Sequence, residues 1–130
     1  GQLPRKMAEI IKENLKITEV WGNEVSLAYK QEYAGTTDLV AVVGEKPTIV
    51  DFKQANRPKL EEWVDDYKHQ LGAYYLAHKT HYGPVEQGVI SIATRGLQYQ
   101  EFKLSEPDLS EYADKFLHRL EQYNKIAKKG

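Results

Sequence analysis

The sequence contains no cysteine, which excludes disulfide bonds and thiolate metal sites and fits a reducing, intracellular compartment. Its four histidines, at positions 69, 78, 81 and 118, include no pair with the spacing of a recognised zinc site. No apolar run approaches the roughly 20 residues of a membrane-spanning helix. These absences exclude disulfide-rich domains, zinc modules and helical membrane spans.

The chain also lacks an excess of positive charge, with 18 basic and 19 acidic residues and a net charge of −1. Because proteins that coat a duplex are usually strongly basic, any nucleic-acid contact must come from a local patch. The 130 residues are 41% hydrophobic and 28% charged, which predicts a folded chain. At this length we expect one domain over residues 1–130, with a single core.

Two runs rich in β-branched residues, 33–43 and 48–54, flank a Gly/Pro turn and predict a β-hairpin. Both runs are almost continuously apolar, which is typical of strands buried on both faces. Three charged residues interrupt them: Asp38, Asp51 and Lys53. Because side chains alternate along a strand, Asp51 and Lys53 are expected to share one face.

The register of this hairpin decides where Asp38 lies. A four-residue turn that pairs Val43 with Thr48 would set Asp38 opposite Lys53 and diagonal to Asp51. Two carboxylates and one amine would then gather on one face of a hydrophobic hairpin.

Burying these charges is costly unless they pair with one another or hold a metal. In one interpretation, Lys53 bridges Asp38 and Asp51 at a solvated sheet edge. In the other, the two carboxylates supply hard oxygen ligands for Mg²⁺ or Mn²⁺. The apolar flanks of the three residues argue against an exposed edge.

At these positions the chain resembles a known family. Gly35-Thr36-Thr37-Asp38, followed by Ile49-Val50-Asp51-Phe52-Lys53, is similar to the signature of the PD-(D/E)XK nuclease superfamily. Gln70-Leu71-Gly72-Ala73-Tyr74 matches the Gln-x-x-x-Tyr motif of its RecB-like branch. Within that branch the chain resembles the mitochondrial genome maintenance exonuclease and its phage and bacterial relatives.

The resemblance implies a metal-dependent DNA nuclease, most simply an exonuclease that prefers single-stranded ends. Asp38, Asp51 and the backbone carbonyl of Phe52 would bind Mg²⁺ or Mn²⁺, and Asp38, Asp51 and Lys53 would be the catalytic residues. An acidic residue of the first helix often joins the metal shell in this family, and the first helix here offers no convincing match. The implied location is the cytoplasm of a bacterium or phage-infected cell, or a mitochondrion.

Three further residues are candidates for contact with DNA. In the family that the chain resembles, the glutamine and tyrosine corresponding to Gln70 and Tyr74 line the active site and help to hold the strand. Arg57 follows the acid-x-Lys strand in a polar loop, where it would either hold a scissile-strand phosphate or be an ordinary loop charge.

Two alternative functions remain open. The same residues would serve a structure-selective or restriction-type endonuclease. The chain could also be an inactive nuclease-like module that only binds DNA or protein. Retention of Asp38, Asp51 and Lys53 among valines argues against the inactive module, because a disused site has little reason to keep such costly charges.

Hydrophobic periodicity and turn residues predict eight elements in the order αβββαββα. The predicted elements are a helix over 4–16, strands over 17–33, 33–43 and 48–54, a helix over 58–81, strands over 85–94 and 97–104, and a last helix starting near Ser105 or Asp108. We therefore expect an α/β fold with a mixed central sheet flanked by helices on both faces, which agrees with the PD-(D/E)XK (restriction-endonuclease-like) core.

Overall fold

The computed structural model describes residues 2–29, 33–60 and 64–129, with side chains outside positions 2, 4, 8, 23–29, 33–38, 128 and 129. The elements follow the predicted order αβββαββα. They are α1 (Gln2–Asn14), β1 (Ile17–Tyr29), β2 (Tyr33–Val43), β3 (Lys46–Ala55), α2 (Asp65–Tyr82), β4 (Gln87–Thr94), β5 (Tyr99–Ser105) and α3 (Glu106–Lys129). None of the helices formed by the described residues is long and apolar enough to cross a lipid bilayer.

The five strands form one mixed sheet in the order β1-β2-β3-β4-β5. Only β3 and β4 run parallel, and α2 supplies the crossover that a parallel connection needs. The strand β3 therefore occupies the centre of the sheet. This position excludes the interpretation in which the charges of β3 lie at a solvated sheet edge.

The sheet carries a hydrophobic cluster on each face. The side chains that pack with α1 form what we call the α1 face, whose buried members include Met7, Ile11, Leu15, Leu39, Val50 and Val89. The side chains that pack with α2 and α3 form the α2–α3 face, whose buried members include Ile49, Leu71, Ile90, Ile92 and Leu109. Because Ile49 and Val50 are neighbours on opposite faces, β3 alternates as a strand buried on both sides must.

The register of the β2–β3 hairpin differs from the predicted one. Val43 pairs with Lys46 instead of Thr48, and the pairing continues to Leu39 opposite Val50. The connecting turn has two residues, Gly44 and Glu45, with φ values of 54° and 71°. Positive φ at both central residues is the combination of a type I′ hairpin turn. The prediction that Asp38 lies opposite Lys53 is therefore wrong by two residues.

The second helix begins later than its apolar periodicity predicted. Residues 58–60 are not helical, and α2 starts at Asp65. The Lys59 amide donates a hydrogen bond to Gln100 Oε1 at 2.6 Å, and Gln100 Nε2 donates to the Lys59 carbonyl at 2.8 Å. A side chain from β5 thus binds both backbone groups of Lys59, which holds this segment out of the helix. Residues 61–63 of the predicted helix lie outside the described part of the chain.

The last helix begins with a reciprocal cap that joins the two predicted candidates. The Asp108 amide donates to Ser105 Oγ, and the Ser105 amide donates to Asp108 Oδ2, both at 3.3 Å. This arrangement is a capping box with aspartate in place of the usual glutamate. It starts α3 at Glu106, directly after β5, and leads the helix back across α2.

Candidate active site

The central strand carries an acid–lysine pair on the α2–α3 face. Lys53 Nζ lies 3.1 Å from Asp51 Oδ2. Between and beside these residues, Phe52 and Val50 belong to the α1 face. Asp51 is only 5% exposed because β3 lies between two neighbouring strands and under a helix. The prediction that Asp51 and Lys53 share one face is confirmed.

Helix α2 covers the amine of this pair with an aromatic ring. Lys53 Nζ lies 4.8 Å from the centroid of the Tyr67 ring, within the range of a cation–π contact. The Lys53 side chain nevertheless remains 28% exposed. The pair therefore has a buried carboxylate on one side and an amine that reaches solvent on the other. Tyr67 is not among the site residues predicted from the sequence.

The Gln-x-x-x-Tyr motif lies on the same helix, following Tyr67. Gln70 Nε2 donates a hydrogen bond of 3.0 Å to the Tyr74 hydroxyl, and both side chains are partly buried. Residues three and four apart meet on one helix face, so Tyr67, Gln70 and Tyr74 form one stripe. The structure thus connects the motif to the acid–lysine pair through Tyr67.

The structure gives less detail on the other predicted site residues, Asp38 and Arg57. Asp38 lies in β2 next to Leu39, which pairs with Val50, and its side chain lies outside the described residues. Continuing this register by one position would set Asp38 across from Asp51. Arg57 is exposed in the loop after β3.

The donor set suits a hard divalent cation. Asp51 supplies a carboxylate, and the adjoining strand supplies a second acidic residue one position beyond the described pairing. Mg²⁺ and Mn²⁺ prefer such oxygen ligands. The chain has no cysteine, and none of its four histidines lies on β2 or β3, so these strands offer no nitrogen or sulfur ligands for a softer metal. The residues at this place therefore fit the metal that the sequence signature implies.

A second acid-x-Lys tripeptide, Glu101-Phe102-Lys103, lies on β5 and was not considered in the sequence analysis. Lys103 Nζ lies 3.5 Å from Glu101 Oε2, and the Tyr99 hydroxyl donates to Glu101 Oε1 at 2.9 Å. Phe102 packs on the α2–α3 face, so the charged pair lies on the α1 side of an edge strand. The Lys103 side chain is 62% exposed. The alternation of residues along this segment could have identified the tripeptide from the sequence. The order of the strands and the face of the sheet distinguish it from Asp51-Phe52-Lys53.

A third acidic group lies at the start of α2. Ligand atoms of Asp65, Asp66 and His69 lie within 4.8 Å of one another, which would permit a metal. However, the Arg119 guanidinium lies 3.8 Å from Asp65 Oδ2 and 3.4 Å from Asp66 Oδ1. His69 Nδ1 lies 2.7 Å from the Asp65 carbonyl oxygen. These carboxylates have a cationic partner in Arg119, as Asp51 has in Lys53, so the cluster is a second candidate metal site.

Comparison with known proteins identifies the family. The model of the PD-(D/E)XK nuclease superfamily matches residues 3–129. The chain belongs to the PD-(D/E)XK nuclease superfamily. No curated protein sequence matches it significantly.

One solved structure shows the same fold. The crystal structure of a protein named "Putative exonuclease" from Eubacterium rectale aligns with a TM-score of 0.65 and 14% identity, over 93% of this chain and 50% of that one. The present chain therefore spans half the length of that protein. A second structure, of a protein named SSO0001, aligns over 89% of this chain and 57% of its own, with a TM-score of 0.45 and 13% identity.

Proposed function

We propose that this member of the superfamily is a Mg²⁺- or Mn²⁺-dependent deoxyribonuclease of the RecB-like branch. In this proposal residues 1–130 form one nuclease domain that acts as an exonuclease on single-stranded DNA ends. The observation that carries the proposal is the ion pair of Asp51 and Lys53, buried at the carboxylate and open at the amine, on the central strand of a nuclease fold.

The metal ligands would be the carboxylates of Asp38 and Asp51 and the backbone carbonyl of Phe52. When bound, the cation would polarise a water molecule and an oxygen of the phosphodiester. The burial of Asp51 favours this role, since a carboxylate in a low-dielectric environment interacts strongly with a nearby cation. The neighbouring strand supports the ligand set by bringing the backbone of Asp38 toward the same end of β3.

Lys53 would stabilise the negative charge that develops on the phosphate in the transition state. Its amine is anchored by Asp51 at 3.1 Å and bounded by the Tyr67 ring at 4.8 Å, so it need not reorganise during the reaction. A preorganised cation of this kind acts more strongly than one in free solvent.

The DNA strand would be positioned by Gln70, Tyr74 and Arg57. The hydrogen bond between Gln70 and Tyr74 fixes both side chains in one orientation, which lowers the entropic cost of holding a strand. Arg57 is exposed in the loop that follows β3, and it would contact a phosphate next to the scissile bond.

The first test is cleavage of an end-labelled single-stranded oligonucleotide with Mn²⁺ and with EDTA. We expect cleavage only with Mn²⁺, and Asp51→Ala should lower the rate by at least about 100-fold. Circular dichroism would confirm that the variant is folded. Cleavage by Asp51→Ala at the wild-type rate would contradict the assignment of the site.

A second test separates the two kinds of nuclease. Linear and circular single-stranded DNA of the same sequence are incubated with the enzyme and Mn²⁺. An exonuclease degrades the linear strand and leaves the circle intact. Cleavage of both substrates would support the endonuclease alternative, and cleavage of neither would favour the binding module.

A further inference from the structure

A groove of about 540 Å³ lies between α2 and α3, beside the proposed active site. Its size falls within the roughly 300–1,000 Å³ of small-molecule sites. Four of its lining residues carry rings: Tyr67 and His69 from α2, and Phe116 and Tyr123 from α3. Tyr123 is 68% exposed, so an aromatic face is available to solvent at the rim.

The groove is continuous with the acid–lysine pair through one side chain. Tyr67 lines the groove, and its ring centroid lies 4.8 Å from Lys53 Nζ. Gln70 also lines the groove while it donates its hydrogen bond to Tyr74. A strand cut beside Lys53 would therefore pass the opening of the groove.

The charges at the groove favour a neutral ligand over a phosphate. Arg119 is the cation among the lining residues, and it already approaches the carboxylates of Asp65 and Asp66 at 3.8 and 3.4 Å. Two carboxylates against one guanidinium leave no surplus positive charge for a phosphodiester. Aromatic rings without surplus positive charge suit the uncharged faces of nucleobases.

Positive charge is instead concentrated in two loops at the ends of β3 and β4. Segments 54–60 and 94–98 contain Arg57, Lys59 and Arg95 and no acidic residue. The two loops are joined where the Arg95 amide donates to the Ala55 carbonyl at 3.0 Å. Phosphates and bases would thus find different surfaces, the phosphates at the loops and the bases in the groove.

We propose that the α2–α3 groove is a base-stacking subsite for single-stranded DNA, occupied by unpaired nucleobases next to the scissile phosphate. This inference rests on the proposed nuclease function and assigns its preference for single strands to a particular surface. Because every base has an aromatic face, the subsite would select unpaired strands without selecting a sequence. Bases in a duplex are stacked on each other and could not enter.

The test compares a normal oligonucleotide with one of equal length built from abasic residues, which keep the phosphates and lack the bases. Binding is measured by fluorescence anisotropy in EDTA, where cleavage does not interfere. We expect the wild-type protein to bind the normal strand about five- to 150-fold more tightly, which corresponds to one stacked base. Tyr123→Ala and Phe116→Leu should weaken binding of the normal strand and leave binding of the abasic strand unchanged.

The matched control is Tyr82→Ala, which removes a tyrosine that is 64% exposed at the other end of α2. It should bind both strands as the wild type does. The inference is overturned if the wild-type protein binds both strands equally, or if the groove variants retain wild-type preference for the normal strand. Mn²⁺-dependent cleavage of the abasic strand reports on the nuclease function separately, so the two proposals can fail independently.

Discussion

The chain contains two tripeptides of the same chemical pattern, Asp51-Phe52-Lys53 on β3 and Glu101-Phe102-Lys103 on β5. In both, the lysine amine approaches the acidic residue two positions earlier, at 3.1 Å on β3 and 3.5 Å on β5. Phe52 packs on the α1 face and Phe102 on the α2–α3 face. The two charged pairs therefore lie on opposite faces of one sheet.

Their surroundings differ because β3 is central and β5 is an edge strand. The side chains of Lys53 and Asp51 are 28% and 7% exposed, against 62% and 22% for Lys103 and Glu101. Exposed ion pairs contribute little to stability. A partly buried ion pair interacts strongly with any nearby charge, because the surrounding dielectric constant is low. The position of the strand, more than the residue pattern, makes the first pair the catalytic candidate.

The second pair belongs to a polar chain on the α1 side of the sheet. Ser91 Oγ donates to the Tyr99 hydroxyl, and this hydroxyl donates to Glu101 Oε1, both at 2.9 Å. Burial, with a further contribution from Glu101, raises the pKa of Tyr99 above its usual value of 10.0. This network satisfies its own donors and acceptors, which indicates a structural role.

The largest expected effect separates the two lysines. Lys53→Met should lower the Mn²⁺-dependent cleavage rate by roughly 100- to 1,000-fold, because a preorganised charge is lost from the transition state. The cleavage rate of Lys103→Met should lie within about twofold of the wild-type rate, because the ion pair of Lys103 is exposed and its loss has little effect on stability. Initial rates on a labelled single strand measure both variants. An equal fall in the cleavage rate of the two variants would contradict the assignment of the catalytic role to the pair on β3.

The next effect concerns the helix that covers only the first pair. A Cβ atom at Gly72 would lie 2.6 Å from the Ala113 backbone nitrogen, so α2 and α3 approach closely here. Gly72→Ala should lower the free energy of unfolding by about 1–3 kcal/mol through overpacking.

The control for this prediction is Gly96→Ala, because the nearest atom to a Cβ at Gly96 is 3.9 Å away. Urea unfolding compares the two alanine variants. If Gly72→Ala proves as stable as Gly96→Ala, the close contact of α2 with α3 at Gly72 is not as described.

A smaller effect tests the structural role of the second pair. Tyr99→Phe removes the hydroxyl that bonds both Ser91 and Glu101 and leaves the buried Ser91 hydroxyl without this partner. We expect a loss of about 1–2 kcal/mol in the free energy of unfolding. The cleavage rate should stay at the wild-type level, and a fall in rate without a loss of stability would assign Tyr99 to the site instead.

The smallest effect is the pH dependence that Tyr99 adds. Its folded-state pKa is raised, so the unfolded chain loses the proton first as the pH rises above 10.0. The stability linked to this group is therefore complete below pH 10.0 and declines above it, by up to about 1.4 kcal/mol at one unit higher. Tyr99→Phe should show a shallower alkaline decline in urea unfolding, and an unchanged decline would contradict the burial of this hydroxyl.

Much of the fold was predictable because its elements have clear local patterns. Strand alternation placed Asp51 and Lys53 on one face, and helical spacing brought Gln70 to Tyr74. The hairpin register was not predictable in this way, because it depends on the left-handed conformation of Glu45, a residue type that rarely signals it.

The other differences depend on contacts between distant parts of the chain. The non-helical backbone at Lys59, within the predicted helix, is held by Gln100, which binds it from 41 residues away. The position of the Tyr67 ring over Lys53 follows from the packing of a helix on a sheet, which no local pattern contains. The sequence likewise did not show which acid-x-Lys tripeptide is more buried, because that depends on the order of the strands in the sheet.

The most direct test of the central claim is a calorimetric titration of the protein with Mn²⁺, comparing Asp51→Asn with Glu101→Gln. Each substitution removes one negative charge from one of the two acid–lysine pairs. The account predicts that Asp51→Asn loses the binding heat of the wild type and that Glu101→Gln retains it. Retained binding in Asp51→Asn, or its loss in Glu101→Gln, would contradict the assignment of the metal site to the central strand.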